Sequence, residues 1–228
     1  MTTDFNELSQ VYDDEVQRSI GFIGQDLSFF TIAKAQHILG LATKHFGSPS
    51  NAGILDVGCG IGLTDQYLVG DFAELHGIDI SDKEIERAKI TNPTGIYTAY
   101  DGRHVPYPDD SFNVVFAINV FHHVPPKDRD GLIREMARVT KPGGLSVIYE
   151  HNPYNPLTRL AVKKCAFDAD AILLKRREAE KLERTAGLSI VDRSYILFFP
   201  VSGRVLTKIE RALTWLPLGA QYCIAGRK

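Results

Sequence analysis

The sequence predicts an α/β fold on a mostly parallel sheet, and three observations carry that reading. Short apolar runs alternate with helical patterns through the middle of the chain. A glycine turn, Gly58, Gly60 and Gly62, follows the first run, and polar residues stand at the ends of the runs after it. Such alternation indicates right-handed βαβ units, with helices on both faces of the sheet.

The strand-like runs are 53–57 (GILDV), 74–79 (ELHGID), 95–100 (GIYTAY), 113–119 (NVVFAIN) and 144–149 (GLSVIY). Helix 81–91 opens on Ser81 as N-cap with Glu84 three residues on. Helix 127–140 is closed by Lys141-Pro142-Gly143-Gly144. Two helices, 3–18 and 26–46, precede the first strand and form an N-terminal helical cap over 1–46. After an irregular insert at 151–175 come helix 176–186, strand 188–198, helix 203–215 and strand 220–226.

No repeat or long linker divides the chain, so 1–228 reads as one domain. With 44% hydrophobic residues it has material for a sizeable core. A formal net charge of -2 gives no global basic field, which argues against a nucleic-acid partner. Cys59, Cys165 and Cys223 form no CxxC pair, so reduced thiols, a cytoplasmic location and no metal site are expected. The acidic, polar N-terminus reads as neither signal peptide nor anchor, and no run of 18 uncharged apolar residues suggests stable membrane insertion.

Three alternating glycines after a strand imply that something lies close to the backbone there. Open parallel sheets take ligands at the carboxyl ends of their strands. A dinucleotide fingerprint needs G-x-G-x-x-G, and Leu63 stands where its last glycine belongs, so a nicotinamide cofactor fits poorly. Asp79 ends the second strand, 17 residues past Gly62, where a carboxylate can accept from a ribose diol. Asp101, followed by Gly102, ends the third, and Asn119 ends the fourth. Four successive strand ends thus carry polar groups on one sheet edge.

These motifs, in this order, resemble the class I, seven-stranded S-adenosylmethionine-dependent methyltransferases of the small-molecule group. The resemblance rests on Leu55–Gly62, Ile78–Ser81, Tyr100–Gly102, Phe112–Val124 and Arg138–Gly144, and covers roughly residues 50 to 150. It implies a three-layer sandwich whose seven-stranded sheet closes on an antiparallel last strand. By position, Asp56, Gly58, Cys59, Gly60 and Gly62 would form the loop under the methionine part of S-adenosyl-L-methionine. Asp79 would bind the ribose, Ile80 would pack on the adenine, and Asp101 and Gly102 would meet its edge. Asn119 would face the methionine end, and Tyr12 matches a tyrosine that closes over the cofactor. Asn113 departs from the aspartate usual in the family, at a position that begins a strand.

The implied reaction is methyl transfer to a small-molecule acceptor by in-line displacement, leaving S-adenosyl-L-homocysteine. Alignment of two reactants alone can supply ~7–11 kcal/mol, so no metal is required and an evident base is optional. Candidate bases follow strands four and five: His122 and His123, then Glu150 and His151. Neighbouring residues point apart, which favours His123 over His122 as the one facing the pocket, with His122 left beside the substrate. The stretch EHNPYNPLTRL, 150–160, holds two Asn-Pro pairs, predicting an extended, turn-rich path that serves as a substrate wall or lid over 151–175. Asn152, Tyr154 and Arg159 are its polar members beside His151.

Alternating charges over 173–187 read as a solvated helix. Val205, Ile209, Ala212, Leu213 and Leu216 share a face that reads as packed on the sheet or roofing the pocket. The apolar stretch from Tyr195 to Trp215 points to a hydrophobic substrate. The chain is expected as a monomer or homodimer. A cofactor-binding module without turnover is the non-enzymatic alternative, and an NAD-dependent oxidoreductase is disfavoured by the glycine spacing.

Overall fold

The computed structural model describes residues 17–19, 21, 24, 26–200 and 204–228. Tyr12 and nearly all of the expected helix 3–18 lie outside the described residues. Among the described residues the first long helix, α1, is Leu27–Phe46. Asp26 caps it, accepting from the Phe29 amide at 3.1 Å.

Next come β1 Gly53–Val57, β2 Glu74–Asp79, α2 Asp82–Thr91, β3 Ile96–Ala99 and β4 Phe112–Ile118. Then follow α3 Arg129–Val139, β5 Thr140–His151, α4 Pro156–Lys164, α5 Arg176–Thr185, β6 Ser189–Ile196, α6 Arg204–Leu213 and β7 Gln221–Arg227. The sheet order is β3-β2-β1-β4-β5-β7-β6. Only β7 runs antiparallel, pairing with β5 on one side and β6 on the other. The expected seven-stranded, mostly parallel sheet is therefore present.

Alternation along the strands sorts side chains into two cores. On one face Ile54, Val114, Phe116, Leu145 and Val147 pack with Ala35, Ile38 and Ala42 of α1 and Ile85 and Ala88 of α2. On the other, Leu55, Val57, Val115, Ala117 and Ile148 pack with Leu132, Ile133 and Met136 of α3 and Ala179 of α5. Successive strand residues point to opposite faces, so a fully buried strand needs helices on both sides. That is the three-layer sandwich.

Ser81 caps α2 as expected, its Oγ accepting from the Glu84 amide at 3.3 Å. Lys141–Gly144 belong to β5 rather than to a helix stop. Thr140 pairs with Phe112 and Leu145 with Val114, so the ladder skips over them in a register shift. Asn113 sits in that shift, where its Oδ1 accepts from the Gly53 amide at 3.1 Å and from Lys141 Nζ at 3.3 Å. An aspartate would serve the same amide, so the departure is structurally neutral.

The insert departs further from expectation. Asn155-Pro156 starts α4 instead of extending the chain: Asn155 Oδ1 accepts from the amides of Leu157 and Thr158, and Pro156 takes the first turn. In α6 and the residues after it, Ile209 and Ala212 are exposed, while Leu213 and Leu216 are half-buried. The expected packed face is thus only partly covered among the described side chains. No helix among the described residues is long and apolar enough to cross a membrane.

Asn155 also ties α4 to the chain before β7, donating from Nδ2 to the Leu218 carbonyl at 2.8 Å. Asn155→Ala is expected to cost about 1 kcal/mol, as loss of an N-cap does, read as a lower urea midpoint at unchanged slope.

Candidate functional site

The order β3-β2-β1-β4-β5 reverses direction between β1 and β4, and a cleft of about 790 Å³ opens there at the carboxyl ends. The glycine turn forms its floor. Gly58 and Cys59 both donate to the Ile78 carbonyl, at 2.7 and 3.0 Å, fastening the turn to β2. The Gly60 amide donates to Asp79 Oδ2 at 2.9 Å, and the Ser81 amide to Asp79 Oδ1 at 2.9 Å. One carboxylate therefore clamps the glycine turn and the β2–α2 turn together.

All three glycines have positive φ, between +52° and +77°. Their missing side chains make room for the chain itself. A Cβ at Gly58 would lie 2.4 Å from Val120 Cγ2, and one at Gly62 would lie 2.5 Å from Asn92 Nδ2. The bare backbone at those two positions is thus explained by internal packing as well as by any ligand. Gly62 stands outside the cleft lining; Asp56, Gly58, Cys59 and Gly60 are part of it.

The floor is rich in buried acid. Asp56, Asp65, Asp79 and Glu84 are all buried. Burial, then Asp65 and Asp79 nearby, pushes the Asp56 carboxyl well above the usual range. Burial takes Asp65 up to about 7 against the pull of the Tyr97 hydroxyl, which donates to it at 2.9 Å. Glu84 is raised to about 8 by burial and by Asp79. Lys34, buried on the inner face of α1, is lowered to about 8 by burial although Asp56 and Glu150 oppose the shift. Asp56 Oδ1 and Glu84 Oε1 are buried without a hydrogen-bond partner. Both residues line the cleft, so its floor suits a ligand carrying positive charge and hydrogen-bond donors.

Lys34, Thr31, Leu27 and Glu84 are lining residues that sequence reasoning missed. Lys34 has a signal after all: it lies four residues before Ile38 on the apolar stripe of an amphipathic helix. Glu84 reads as half of a capping box, which hid its cleft position.

At the other end Ile80, 53% exposed, and Tyr100, Asp101 and Gly102 line the wall. Asp101 Oδ1 accepts from the amides of His104 and Arg103, both at 2.8 Å, which holds its carboxyl below the usual range. Arg138 fixes the following loop, donating to the carbonyls of Val105 and Tyr107, both at 2.8 Å, and pairing with Asp109 and Glu135.

Asn119, Val120 and His123 form the wall past β4. Asn119 has φ +57°; its amide donates to the Tyr149 carbonyl at 2.9 Å, and its Oδ1 accepts from Gln221 Nε2 at 3.4 Å. Behind this wall His122 is fully buried, its Nδ1 2.6 Å from Glu150 Oε2 and its Nε2 3.2 Å from Asp168 Oδ1. Burial opposes its charge, but Glu150 and Asp168 raise it to about 10. His123 is lowered to about 4 by burial and by His122.

The structure brings together Asp56, Gly58, Cys59, Gly60, Asp79, Ile80, Asp101, Gly102, Asn119 and His123 around one cleft. It leaves His122, His151, Asn152, Tyr154 and Arg159 out of the lining. His151 is lowered to about 4 by burial and stands 3.4 Å from Gln221 Nε2 through its Nδ1. Asn152 is buried, donating to the carbonyls of Pro217 and Gly219 and accepting from the Tyr154 amide. Tyr154 is 60% exposed and Arg159 is exposed. No described residue of 151–175 lines the cleft, so this segment is not seated as a lid. It braces the histidine loop from behind, the Ile172 amide donating to the His122 carbonyl at 2.8 Å.

Residues 55–148 match the family model for a methyltransferase domain. The chain is 36% identical over 108 residues to 2-methyl-6-phytyl-1,4-hydroquinone methyltransferase of Synechocystis sp., a match covering 46% of this chain and 33% of that protein. It is 38% identical over 105 residues to 27-O-demethylrifamycin SV methyltransferase of Amycolatopsis mediterranei, covering 42% and 38%. The matches thus span little more than a third of the curated relatives. An S-adenosylmethionine-dependent methyltransferase from Mesorhizobium loti shares the fold with a TM-score of 0.61 at 19% identity, over 83% of this chain and 96% of that one.

Asp65 gives the floor a pH signature. A carboxyl at about 7 in the fold but near its ordinary value of 3.8 when unfolded keeps a proton that the unfolded chain has lost. Stability contributed by that proton falls as pH rises between the two values and is gone above the folded one. Urea midpoints should therefore drop from about pH 4 to about pH 7, and Asp65→Asn should flatten the drop; parallel curves would remove Asp65 as the cause.

Proposed function

We propose, from the match of residues 55–148 to the methyltransferase-domain model and from the shared fold, that the chain transfers a methyl group from S-adenosyl-L-methionine to a small-molecule acceptor. The observation that carries this reading is the Asp79 clamp: a buried carboxylate at the tip of β2, held by the Gly60 and Ser81 amides and lining the cleft. Each carboxylate oxygen keeps a further lone pair, which suits the cis-diol of a ribose.

The remaining residues fit the rest of the cofactor. Asp56, with its orphaned Oδ1, takes the methionine ammonium beside Gly58, Cys59 and Gly60. Gly62 supports the loop from below. Ile80 packs on the adenine, and Asp101 with Gly102 meets its edge. The cofactor supplies an activated methyl group on a sulfonium. Asn119, Val120 and His123 form the wall where the acceptor approaches, and His123 offers a nitrogen lone pair to an acceptor O–H or N–H. His151 lies behind that wall and Tyr12 outside the described residues, so neither carries weight here.

The acceptor class rests on the relatives, which are named for a phytyl hydroquinone, a rifamycin and a sterol. We place the acceptor among small apolar molecules, and the chain in the cytoplasm as a monomer or homodimer without a nucleic-acid partner, consistent with its net charge of -2.

Calorimetry with S-adenosylmethionine and its demethylated product tests the cofactor. Saturable binding is expected, and Asp79→Ala should weaken it roughly 10–100-fold, since a hydrogen bond to a charged group contributes about 1.5–3 kcal/mol. Absence of binding to the folded wild type removes the reading. Incubation with methyl-labelled cofactor and cell extract tests turnover: label in small metabolites supports the enzyme, whereas binding with label nowhere leaves a cofactor-binding module.

A further inference from the structure

His122 and His123 are adjacent in the chain, yet their Nε2 atoms converge on one oxygen. Asp168 Oδ1 lies 3.2 Å from His122 Nε2 and 3.5 Å from His123 Nε2. All three donor atoms lie within 4.8 Å of one another. Ligands about 2.0–2.2 Å from a tetrahedral centre stand about 3.3–3.6 Å apart, so two edges of the triangle already match a coordination shell. We infer that His122, His123 and Asp168 form a binding site for one divalent transition-metal ion of the Zn²⁺ type, set in the acceptor wall of the cleft.

The surroundings are those of a built site. Glu150 Oε2 contacts His122 Nδ1 at 2.6 Å and Glu150 Oε1 accepts from the His122 amide at 3.3 Å. A proton held on Nδ1 leaves the Nε2 lone pair directed at Asp168, the carboxylate–histidine–metal arrangement that orients ligating imidazoles. Asp168 comes from the 151–175 segment, which is pinned to the same loop. The Ile172 amide donates to the His122 carbonyl, and Arg129 Nη2 donates to the Ile172 carbonyl at 2.7 Å. The ring of His151 lies 5.2 Å from that of His122.

Two imidazoles and a carboxylate select a borderline ion such as Zn²⁺ or Co²⁺ over Mg²⁺ or Ca²⁺, which require mostly oxygen ligands. Three protein ligands leave one position of a tetrahedron open. His123 lines the cleft, so the ion stands one side chain from the acceptor space. The competing arrangement is a protonated His122 clasped between Glu150 and Asp168 with no ion. Both balance the same two carboxylates, and only added metal separates them. The site does not depend on the methyl-transfer reading, but an ion on His123 Nε2 takes the ring lone pair that the reading offers to an acceptor.

The full chain, stripped with a chelator, is titrated with Zn²⁺ by calorimetry and with Co²⁺ by visible absorption, without cofactor. One ion per chain and the intense ligand-field bands of four-coordinate Co²⁺ are expected. Asp168→Asn and His123→Ala should each weaken Zn²⁺ binding by at least about tenfold, and Glu150→Gln by about 10–100-fold, with circular dichroism unchanged. Should one variant not fold, the other and the wild-type titration still decide. No saturable binding to the wild type, or equal affinity in a folded Asp168→Asn or His123→Ala chain, overturns the site. Cofactor affinity measured on the same stripped protein keeps the two readings apart: bound cofactor without metal sinks only this one, and bound metal without cofactor sinks only the other.

Discussion

The fixed point of this molecule is the Asp79 carboxylate between the Gly60 and Ser81 amides. A parallel sheet presents its strand ends as separate turns, each free to set its own path. Asp79 couples two of them, and the Ile78 carbonyl beside it collects the amides of Gly58 and Cys59. The glycine turn is thereby held by β2 at three amides, without a regular helix after it. Only a short helical turn, Asp65–Tyr67, stands between it and β2. A chain of side-chain hydrogen bonds takes the place of that helix: Asn92 Nδ2 donates to the Gly62 carbonyl and to the Tyr97 hydroxyl, which donates to Asp65.

That arrangement concentrates negative charge under the cleft. Asp56, Asp65, Asp79 and Glu84 are buried close together, with Lys34 opposite Asp56. Burial disfavours ionised carboxylates, so all four hold their protons more tightly than in water, and one oxygen each of Asp56, Asp65 and Glu84 stays without a partner. Folding alone leaves those groups poorly solvated. In the proposed reading, the ammonium and the diol of the cofactor would supply the donors that these oxygens lack.

The opposite wall is organised by the segment after β5. Its second Asn-Pro pair opens α4, and the chain beyond that helix turns back to set Asp168 against both histidines. The segment that sequence reasoning placed over the cleft stands behind its wall instead. Its effect on the cleft passes through the His122–His123 loop, since it shares no lining surface with the cleft.

Local pattern was enough for most of the elements, α4 and the start of β5 excepted. Strands 53–57 and 74–79, the Ser81 cap, the single antiparallel strand and the polar tips at Asp79, Asp101 and Asn119 all come from short-range periodicity and turn chemistry, or from a motif order that spans them. Long-range contact was needed for the rest. Nothing within the glycine turn says that Val120 and Asn92 occupy the space beside Gly58 and Gly62. Lys34 reads as a surface lysine until α1 is laid on β1, and His122 reads as a pocket residue until Asp168, 46 positions on, takes its Nε2. Sequence sets what each residue prefers next to its neighbours, but burial and the pairing of charges are properties of surfaces that meet only once the chain has folded.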